Sequence, residues 1–258
     1  MKIITWNINS IRLRSSLIYK LLELEKPEVL CLQECKSPSE KMPFDFFESL
    51  GYKFSACWGQ KGYNGVAFIS KIPLKKIEKK DFLKCGEARH LSVLINGFTI
   101  HNFYFPAGGD IPDINLNKKF QFKLEYIKEV ERYFNLKKPI KSILVGDLNI
   151  APEIDDVWDH KKLLKVVSHT QIEVNQLKKL QENGAWIDVF RKHKPEGKHF
   201  SWWSYRSKDW KSSNRGRRLD HIWFSEDIKN SSNCYILKYI RDWEKTSDHV
   251  PVVAELKI

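Results

Sequence analysis

Residues 141–149 read Lys-Ser-Ile-Leu-Val-Gly-Asp-Leu-Asn, and this stretch says most about how the chain folds. Its apolar part, Ser142 to Val145, predicts a short buried strand that ends at Gly146. Asp147 and Asn149 follow at the strand end, where carboxylate and amide groups are typical of a catalytic edge. The stretch therefore predicts a sheet whose strand ends carry chemistry.

The same arrangement, a polar segment after an apolar run, recurs elsewhere in the chain. The other segments are Trp-Asn-Ile-Asn at 6–9, Leu-Gln-Glu at 32–34, Asn-Phe-Tyr-Phe-Pro at 102–106, Arg-Leu-Asp at 218–220 and Ser-Asp-His at 247–249. Any one of them also fits an ordinary turn, an ion pair or a solvated strand end, since Asp and Asn bond readily to nearby backbone. Together they supply the amides, carboxylates, phenol and imidazole of a metal-assisted phosphodiester hydrolase.

Apolar periodicity predicts many strands and a few helices. Strands are expected at Lys2 to Ile8, Val29 to Leu32, Tyr52 to Trp58, Gly65 to Ser70, Leu91 to Ile95, Phe98 to Tyr104, Leu219 to Ser225, Cys234 to Tyr239 and Pro251 to Leu256. Helices are expected from Ser15 or Ser16 to Pro27, from Leu116 to Phe134 and from Ile172 to Gln181. This order favours an α/β (α+β) fold with two packed sheets and helices outside.

Composition limits the class of protein. The chain has 258 residues, 42% of them hydrophobic, and no polar linker or repeat interrupts the strand pattern, so we expect residues 1–258 to form a single domain. No leader precedes the first strand and no apolar run is long enough to cross a bilayer, which predicts an intracellular, cytoplasmic protein without a membrane partner. The five cysteines are odd in number and lack zinc-type spacing, so we expect reduced thiols.

The net charge of +12 and the pI near 9.3 favour a polyanionic partner. The lysines at 75–80 and 137–141 are expected to be solvated loop or strand-edge residues. The segment 199–218 differs because it mixes aromatic planes with cations, among them Trp202, Trp203, Tyr205, Arg206, Trp210, Arg215, Arg217 and Arg218. Such mixing predicts a surface that stacks on bases or sugars and holds phosphates. The alternative is a core strand before a basic loop, with Trp203 or Tyr205 turned inward.

Longer motifs carry a resemblance to a known family. They are Trp-Asn-Ile-Asn-Ser-Ile-Arg (6–12), Leu-Gln-Glu-Cys-Lys (32–36), Gly-Tyr-Asn-Gly-Val-Ala (62–67), Tyr-Phe-Pro (104–106), Gly-Asp-Leu-Asn-Ile-Ala-Pro (146–152), Ser-Trp-Trp-Ser-Tyr-Arg (201–206), Asn-Arg-Gly-Arg-Arg-Leu-Asp-His-Ile (214–222) and Thr-Ser-Asp-His-Val-Pro-Val (246–252). The chain resembles the exonuclease III type of abasic-site (AP) endonuclease, within the endonuclease/exonuclease/phosphatase superfamily. The resemblance implies a four-layer sandwich of two mostly antiparallel sheets, face to face and flanked by helices.

The resemblance also implies a metal site. Glu34 offers hard oxygen ligands that suit Mg²⁺, with Mn²⁺ as a substitute. The implied neighbours of the ion are Asn7, Asp147, Asn149 and Asp248. Whether one ion or two take part stays open.

Catalytic roles follow from the same resemblance. Asp147 is expected to orient and deprotonate water, and Asn149 to hold the water or a phosphate oxygen. His249, held by Asp220 in or near its charged form, is expected to donate to the phosphate. Tyr104 supplies a hydroxyl to the phosphate or the leaving group.

Substrate recognition is expected from a separate set of residues. The implied pocket for a flipped abasic sugar is formed by Trp202 and Leu219, and Asn64 and Asn102 are expected to bind substrate. Arg217 stands where relatives have a bulky apolar residue, so we expect it to insert into DNA or grip it. Two other departures are Ala107, in place of an amide, and Cys35, which would place a thiol open to oxidation beside the metal.

The sequence thus predicts a Mg²⁺-dependent DNA repair nuclease that acts on double-stranded DNA with abasic sites or 3′ ends. It would cut 5′ to the abasic site, leaving 3′-hydroxyl and 5′-deoxyribose phosphate ends, and would also act as a 3′–5′ exonuclease and a 3′-phosphodiesterase or phosphatase. We expect a monomer associated with the nucleoid through DNA. Two alternatives stay open: a phosphoesterase for inositol phosphates or phospholipid head groups, and a nucleic-acid-binding module that has lost catalysis.

Overall fold

The protein is described from a computed structural model that covers residues 1–207, 209–228 and 231–257. Its strands in chain order are β1 Lys2–Asn7, β2 Val29–Gln33, β3 Phe54–Trp58, β4 Val66–Ser70, β5 Lys75–Lys79, β6 His90–Ile95, β7 Phe98–Tyr104, β8 Ser142–Asp147, β9 Trp186–Asp188, β10 Trp202–Trp203, β11 Gly216–Arg217, β12 Asp220–Ser225, β13 Ser231–Ile236 and β14 Val252–Leu256. The helices are α1 Ser15–Glu25, α2 Lys118–Leu136, α3 His160–Leu163, α4 Gln171–Asn183, α5 Val189–His193 and α6 Trp210–Ser213.

Twelve of these strands form two six-stranded sheets. The first has the order β13-β14-β1-β2-β4-β3 and the second the order β5-β6-β7-β8-β12-β9. Within the described strands, β1 runs parallel to β2 and β7 parallel to β8, and the other pairs are antiparallel. Both sheets are therefore mostly antiparallel, as predicted.

The two sheets pack face to face over one apolar core. Every second residue of β6, such as Leu91 and Val93, points into this core and meets Val29 and Cys31 from the other sheet. Helix α1 covers the outer face of the first sheet, and α2 and α4 cover the outer face of the second. The four-layer sandwich is thus confirmed. Among the described helices, none combines the length and the apolar character needed to cross a membrane.

A close approach of β7 and β8 brings two predicted site residues side by side. Gly146 has φ 137°, and a Cβ at this position would overlap the carbonyl oxygen of Phe103. Glycine therefore lets β8 lie tightly along β7. In the resulting register Tyr104 pairs with Asp147 at the carboxyl ends of the two strands.

Some element predictions were wrong. The strand predicted at Cys234 to Tyr239 instead ends at Ile236, and a 3₁₀ helix, Lys238–Asp242, follows it. Strand β5 was missed because Lys75–Lys79 is exposed throughout and four of its five residues are charged, so it carries no apolar alternation. It forms the edge of the second sheet, where lysines are common.

All five cysteines are free, which agrees with the prediction of reduced thiols. The prediction for Cys35 was wrong, however. Its side chain is fully buried in the core beneath α1, and burial raises the pKa of the thiol well above its usual range. A thiol in this state is protonated and shielded, so Cys35 is not an oxidation-prone group of the site.

Candidate active site

Three predicted site residues meet at one edge of the sandwich. Glu34 follows β2, Asp147 ends β8, and His249 lies just before β14. A ligand atom from each lies within 4.8 Å of the other two, and within residues 1–207, 209–228 and 231–257 this is the one such group of three or more His, Cys, Asp or Glu side chains. Residues distant in sequence thus form one polar cluster.

Two side-chain-to-backbone hydrogen bonds join the end of β1 to the segment before β14 beneath this cluster. The indole Nε1 of Trp6 donates to the carbonyl of His249 over 3.0 Å, and the Ser247 hydroxyl donates to the carbonyl of Asn7 over 2.7 Å. Glu34 has a left-handed backbone, φ 48°, which turns the chain sharply as it leaves β2. These contacts fix the position of the cluster relative to β1.

Asn7 links the two carboxylates of the cluster. Its Nδ2 donates to Glu34 Oε1 over 2.9 Å and to Asp147 Oδ2 over 2.8 Å, while its Oδ1 accepts from the backbone N–H of Asn9. In this orientation the amide oxygen faces away from the carboxylates. Asn7 therefore orients the acids and does not present the oxygen ligand that was predicted.

Asp147 is buried and receives further hydrogen bonds from Asn149. The backbone N–H of Asn149 lies 2.9 Å from Asp147 Oδ1, and its Nδ2 lies 3.2 Å from Oδ2 and 2.9 Å from the carbonyl of Phe105. Burial raises the pKa of Asp147, the His249 cation opposes this, and the result is a pKa of about 7. Asp147 can therefore exchange a proton near neutral pH.

His249 lies between two acids. Its Nδ1 is 2.9 Å from Asp220 Oδ2, and its Nε2 is 3.7 Å from Asp147 Oδ2. Burial alone would lower the pKa of His249, but the charges of Asp220 and Asp147 outweigh it and raise the pKa to about 10. A pKa raised in this way favours the charged imidazolium at neutral pH.

Tyr104 is almost fully buried beside the cluster. Burial and the charges of Glu34 and Asp147 raise the pKa of its hydroxyl well above the usual range. The guanidinium of Arg89 lies 5.0 Å from the centre of the tyrosine ring and fixes its position. Tyr104 consequently keeps its proton and serves as a hydrogen-bond donor.

The cluster opens into a cavity of about 530 Å³. Its lining includes Glu34, Tyr104, Ala107, Asn149, Val166, Val167, Ser168, Trp202, Arg217, Leu219, Asp248 and His249. The lining combines polar groups, among them Glu34, Asn149 and His249, with Trp202, Leu219 and the 166–168 loop. The cavity therefore joins the predicted catalytic residues to the predicted sugar pocket.

Asp248 lines the cavity next to His249, and its metal contact stays a prediction. Its Oδ2 accepts from Trp202 Nε1 over 2.9 Å, and its Oδ1 accepts from Asn9 Nδ2 over 3.2 Å. Both oxygens are therefore engaged in orienting neighbours. The role of Asp248 in this structure is to fix the Trp202 ring in the cavity wall.

Arg217 was predicted to insert into DNA or to grip it, and its contacts argue against insertion. Its Nη1 donates to the Val167 carbonyl over 3.0 Å and to the Ser168 hydroxyl over 2.7 Å, and its guanidinium lies 5.3 Å from the centre of the Trp202 ring. These contacts hold the side chain against the cavity wall. It is therefore not extended for insertion into DNA, and it narrows the gap between Trp202 and the 166–168 loop.

Two predicted substrate contacts are structural. Asn102 is fully buried between the sheets, where it donates to the carbonyls of Leu32 and Ala67 and accepts from Gln33 Nε2 over 2.7 Å. It has no surface to offer DNA, so this prediction was wrong. Asn64 is nearly buried, and its carbonyl accepts from the N–H of Lys36 over 2.9 Å. It supports the turn that carries Glu34.

Segment 199–218 divides between core and surface. Trp203 is buried, as one alternative expected, whereas Tyr205 is half exposed and donates to the carbonyl of Thr246. Arg218 is buried too, with its guanidinium 2.6 Å from Asp156 and 2.8 Å from Asp188. This ion-pair network was missed in the sequence because its acids lie far from Arg218 along the chain. It fixes the backbone that presents Leu219 and Asp220.

A second buried ion pair that was not predicted from the sequence supports the loop after β8. Lys123 in α2 and Glu173 in α4 are fully buried and 2.5 Å apart. Lys123 Nζ also donates to the carbonyl of Asn149 over 2.8 Å, and Glu173 accepts from the N–H of Ser168. The pair therefore ties the loop after β8 to the loop that carries the cavity wall.

The donor set fits a hard divalent cation. Glu34 and Asp147 present carboxylate oxygens, the ligands that Mg²⁺ and Mn²⁺ prefer. Glu34 Oε2 is paired with the Lys36 ammonium 2.9 Å away. His249 is itself cationic and held by Asp220, so the carboxylates of Glu34 and Asp147 are the groups that would hold the ion.

Comparison with known proteins agrees with this geometry. The sequence profile of the Endonuclease/Exonuclease/phosphatase family matches residues 4–249, nearly the whole chain. The chain belongs to this family. A curated relative, exodeoxyribonuclease III of Haemophilus influenzae, is 33% identical over 277 residues, and the match covers 100% of both chains. This relationship confirms the resemblance to the exonuclease III and AP endonuclease branch.

Solved structures of DNA repair enzymes share the fold of this chain. An AP endonuclease from Archaeoglobus fulgidus has a TM-score of 0.93 and 31% identity, with 100% of both chains covered. The 3′ phosphatase NExo from Neisseria, bound to a product DNA hairpin, has a TM-score of 0.92 and 28% identity over 100% of both chains. The two-sheet architecture described above is therefore the fold of these nucleases.

Proposed function

We propose that this protein is a Mg²⁺-dependent DNA repair nuclease that hydrolyses the phosphodiester 5′ to an abasic site. The observation that carries the proposal is the convergence of Glu34, Asp147 and His249 in a cavity with an aromatic wall. Relatives named exodeoxyribonuclease III, AP endonuclease and 3′ phosphatase support it. The proposal includes 3′–5′ exonuclease and 3′-end-cleaning activities, because each of them, like incision at an abasic site, hydrolyses a phosphate ester of DNA.

In this reaction a water oxygen bonds to phosphorus and the bond to the 3′ oxygen breaks. A Mg²⁺ held by Glu34 and Asp147 would supply positive charge beside the phosphate and the leaving oxygen. Asp147 takes the proton from the attacking water, while Asn149 fixes the position of its carboxylate. The products are a 3′-hydroxyl and a 5′-deoxyribose phosphate.

The other groups stabilise charge and position the substrate. His249 donates from Nε2 to a non-bridging phosphate oxygen, and Asp220 keeps it charged and oriented. Tyr104 donates its hydroxyl to the phosphate or the leaving oxygen. Both donors are buried and held by neighbours, so they need little reorganisation as charge develops.

Trp202 and Leu219 would bind the extruded sugar. Their side chains line the same cavity as His249, and Arg217 packs against Trp202. A sugar without a base fits such a recess, whereas a complete nucleotide is larger. The net charge of +12 favours a nucleic acid over a small uncharged substrate.

One experiment separates this proposal from the phosphoesterase alternative. The protein is incubated with Mg²⁺ and either a duplex with one abasic analogue, the matched undamaged duplex, or inositol phosphates, and product ends are identified. Cleavage at the abasic position with 3′-hydroxyl ends supports the proposal. Faster release of phosphate from inositol phosphates would support the alternative, and binding without any cleavage would support a non-catalytic module.

The remaining expectations about the protein's state are proposals of the same kind. We expect one catalytic domain over residues 1–258, active as a monomer. We expect it to work in the cytoplasm and to associate with the nucleoid through DNA. Sedimentation of the purified chain at micromolar concentration tests the monomer directly.

A further inference from the structure

A second polar cavity lies at the opposite end of the second sheet. Its volume is about 280 Å³, and it sits between the outer face of β5–β7 and the carboxyl end of α2. Its lining is Lys76, Glu78, Ser92, Leu94, Thr99, His101, Tyr133, Phe134, Lys137, Lys138, Pro139, Ile140 and Ser142. On β7 the nearest lining residues of the two cavities are His101 and Tyr104, which are about 10 Å apart along the strand.

Lysines from both of the clusters that were predicted to be solvated, 75–80 and 137–141, line this cavity. Lys76 comes from the edge strand β5, and Lys137 and Lys138 follow α2. Glu78 is the one carboxylate in the lining, which leaves a net charge of +2 from three lysines and one glutamate. Lys138 is partly engaged with the carbonyl of Asn183, so Lys76 and Lys137 are the cations best placed to bind a ligand.

Polar groups at the base of the cavity lie on the outward side of β6 and β7. Ser92 and His101 are paired across these strands and are only 3% and 6% exposed. Within the described part of the chain, neither the Ser92 hydroxyl nor His101 Nε2 has a hydrogen-bond partner, and neither atom is fully enclosed. Buried polar groups are normally bonded, so these two atoms are available to a ligand.

A buried neighbour determines which nitrogen of His101 carries the proton. His101 Nδ1 lies 3.1 Å from Nε2 of the fully buried His90, whose own Nδ1 has no partner among the described residues. A buried N–H without an acceptor is rarer than a bare acceptor, so His90 is assigned its proton on Nε2 and donates to His101. His101 then carries its proton on Nε2, where it can donate into the cavity.

His101 acts here as a neutral donor. Burial lowers the pKa of His101 to about 4, so its ring does not repel the lysines. A neutral N–H, hydroxyls from Ser92 and Thr99 and two ammonium groups form a set of donors suited to one compact oxyanion. Tyr133 and Phe134 add an apolar wall beside them.

We propose that this cavity is a binding site for the terminal phosphate of a small phosphorylated molecule. A terminal phosphate can reach Ser92 and His101 at the base, whereas a phosphodiester inside a nucleic acid strand would have to bring two bulky ester groups with it. The apolar wall of Tyr133 and Phe134 gives room for a sugar. The site is separate from the catalytic cavity and does not depend on the proposed nuclease activity.

The test follows the side-chain ¹⁵N resonances of histidine in the intact protein, with the His101 signal assigned from His101→Gln. The probes are inorganic phosphate, ribose 5-phosphate and an oligothymidylate without terminal phosphate. We expect phosphate and ribose 5-phosphate to shift His101 Nε2, and the oligonucleotide to leave it unchanged. Each probe is added to about 10 mM, roughly fifty times the concentration of a ~0.2 mM protein sample, so that weak binding is detected. A response to the oligonucleotide alone would overturn the proposal. The absence of a response to any of the three probes would also overturn it.

Variants provide the matched control. In Lys76→Gln/Lys137→Gln the affinity for ribose 5-phosphate should fall at least about tenfold, because two charge-assisted bonds are lost. Lys53→Gln/Lys161→Gln removes the same charge from exposed positions elsewhere and should bind like the unmodified protein. DNA cleavage should be equal in both double variants. Equal phosphate affinity in the two double variants would contradict the proposal.

Discussion

The Nδ1 atom of His249 lies 2.9 Å from Oδ2 of Asp220, and this contact sets the charge of the candidate active site. Both side chains are almost fully buried, so the carboxylate acts on the imidazole with little screening by water. The pKa of His249 consequently rises to about 10. A permanent cation at the base of the cavity is what a phosphate-binding site requires.

The raised pKa of His249 predicts how stability depends on pH. A raised pKa means that the folded state binds the proton more tightly, so the contribution of His249 is fully present below its unfolded value of about 6.5. It is lost as the pH rises toward 10. In EDTA, the difference in free energy of unfolding between the unmodified protein and His249→Gln should therefore shrink between pH 7 and pH 10. A difference that stays constant over this range would show that Asp220 does not hold the charge.

The Lys123–Glu173 pair is predicted to be essential for stability. Lys123→Met leaves the Glu173 carboxylate buried without its partner, which costs about 3–5 kcal/mol. Lys162→Met is the matched control, because it breaks the exposed pair with Asp159, worth at most about 1 kcal/mol. Chemical denaturation measures both. Similar losses in the two variants would mean that the buried pair contributes no more than a surface contact.

Trp202 is predicted to govern substrate choice more than bond cleavage. Trp202→Ala removes the aromatic wall that Asp248 and Arg217 hold in place. Without this ring the recess no longer excludes a complete nucleotide, so the preference for an abasic duplex over an undamaged one should fall about tenfold. Cleavage at a plain 3′ end, measured with the same enzyme sample, serves as the internal control. An equal fall on both substrates would assign Trp202 to general folding instead.

Removal of divalent metal should stop incision. The Glu34 and Asp147 carboxylates form the oxygen-rich group that suits Mg²⁺, and no other described residues supply the same kind of cluster. After dialysis against EDTA, cleavage of the abasic duplex should be undetectable, and excess Mg²⁺ should restore it. The equimolar Mg²⁺–EDTA complex controls for effects of the chelator. Cleavage at full rate in the dialysed sample would contradict the metal proposal.

The sequence predicted the layers and the main cluster because both depend on local signals. Apolar alternation located β6 and β7, and the acid after each apolar run located Glu34 and Asp147. Polar groups at strand ends gather at a sheet edge, so their meeting could be anticipated without coordinates. The register that pairs Tyr104 with Asp147 depends on Gly146 and became visible only in the fold.

Predictions failed where a side chain's role depends on its partners. Asn102 follows the same kind of apolar run as the catalytic residues, yet it faces the gap between the sheets and satisfies backbone carbonyls there. Sequence spacing gives the position of a residue along a strand, whereas these hydrogen bonds depend on the opposing chain.

The central claim is that Asp147 takes the proton from water inside a pre-formed phosphate site. The most direct measurement is the single-turnover cleavage rate of an abasic duplex by Asp147→Asn, together with its affinity for that duplex. Asp110→Asn, the same substitution on an exposed acid that also lines the cavity, is the control. We predict a loss of about 10³-fold for Asp147→Asn with DNA binding retained, and near-normal cleavage for Asp110→Asn. Rapid cleavage by Asp147→Asn would contradict the account.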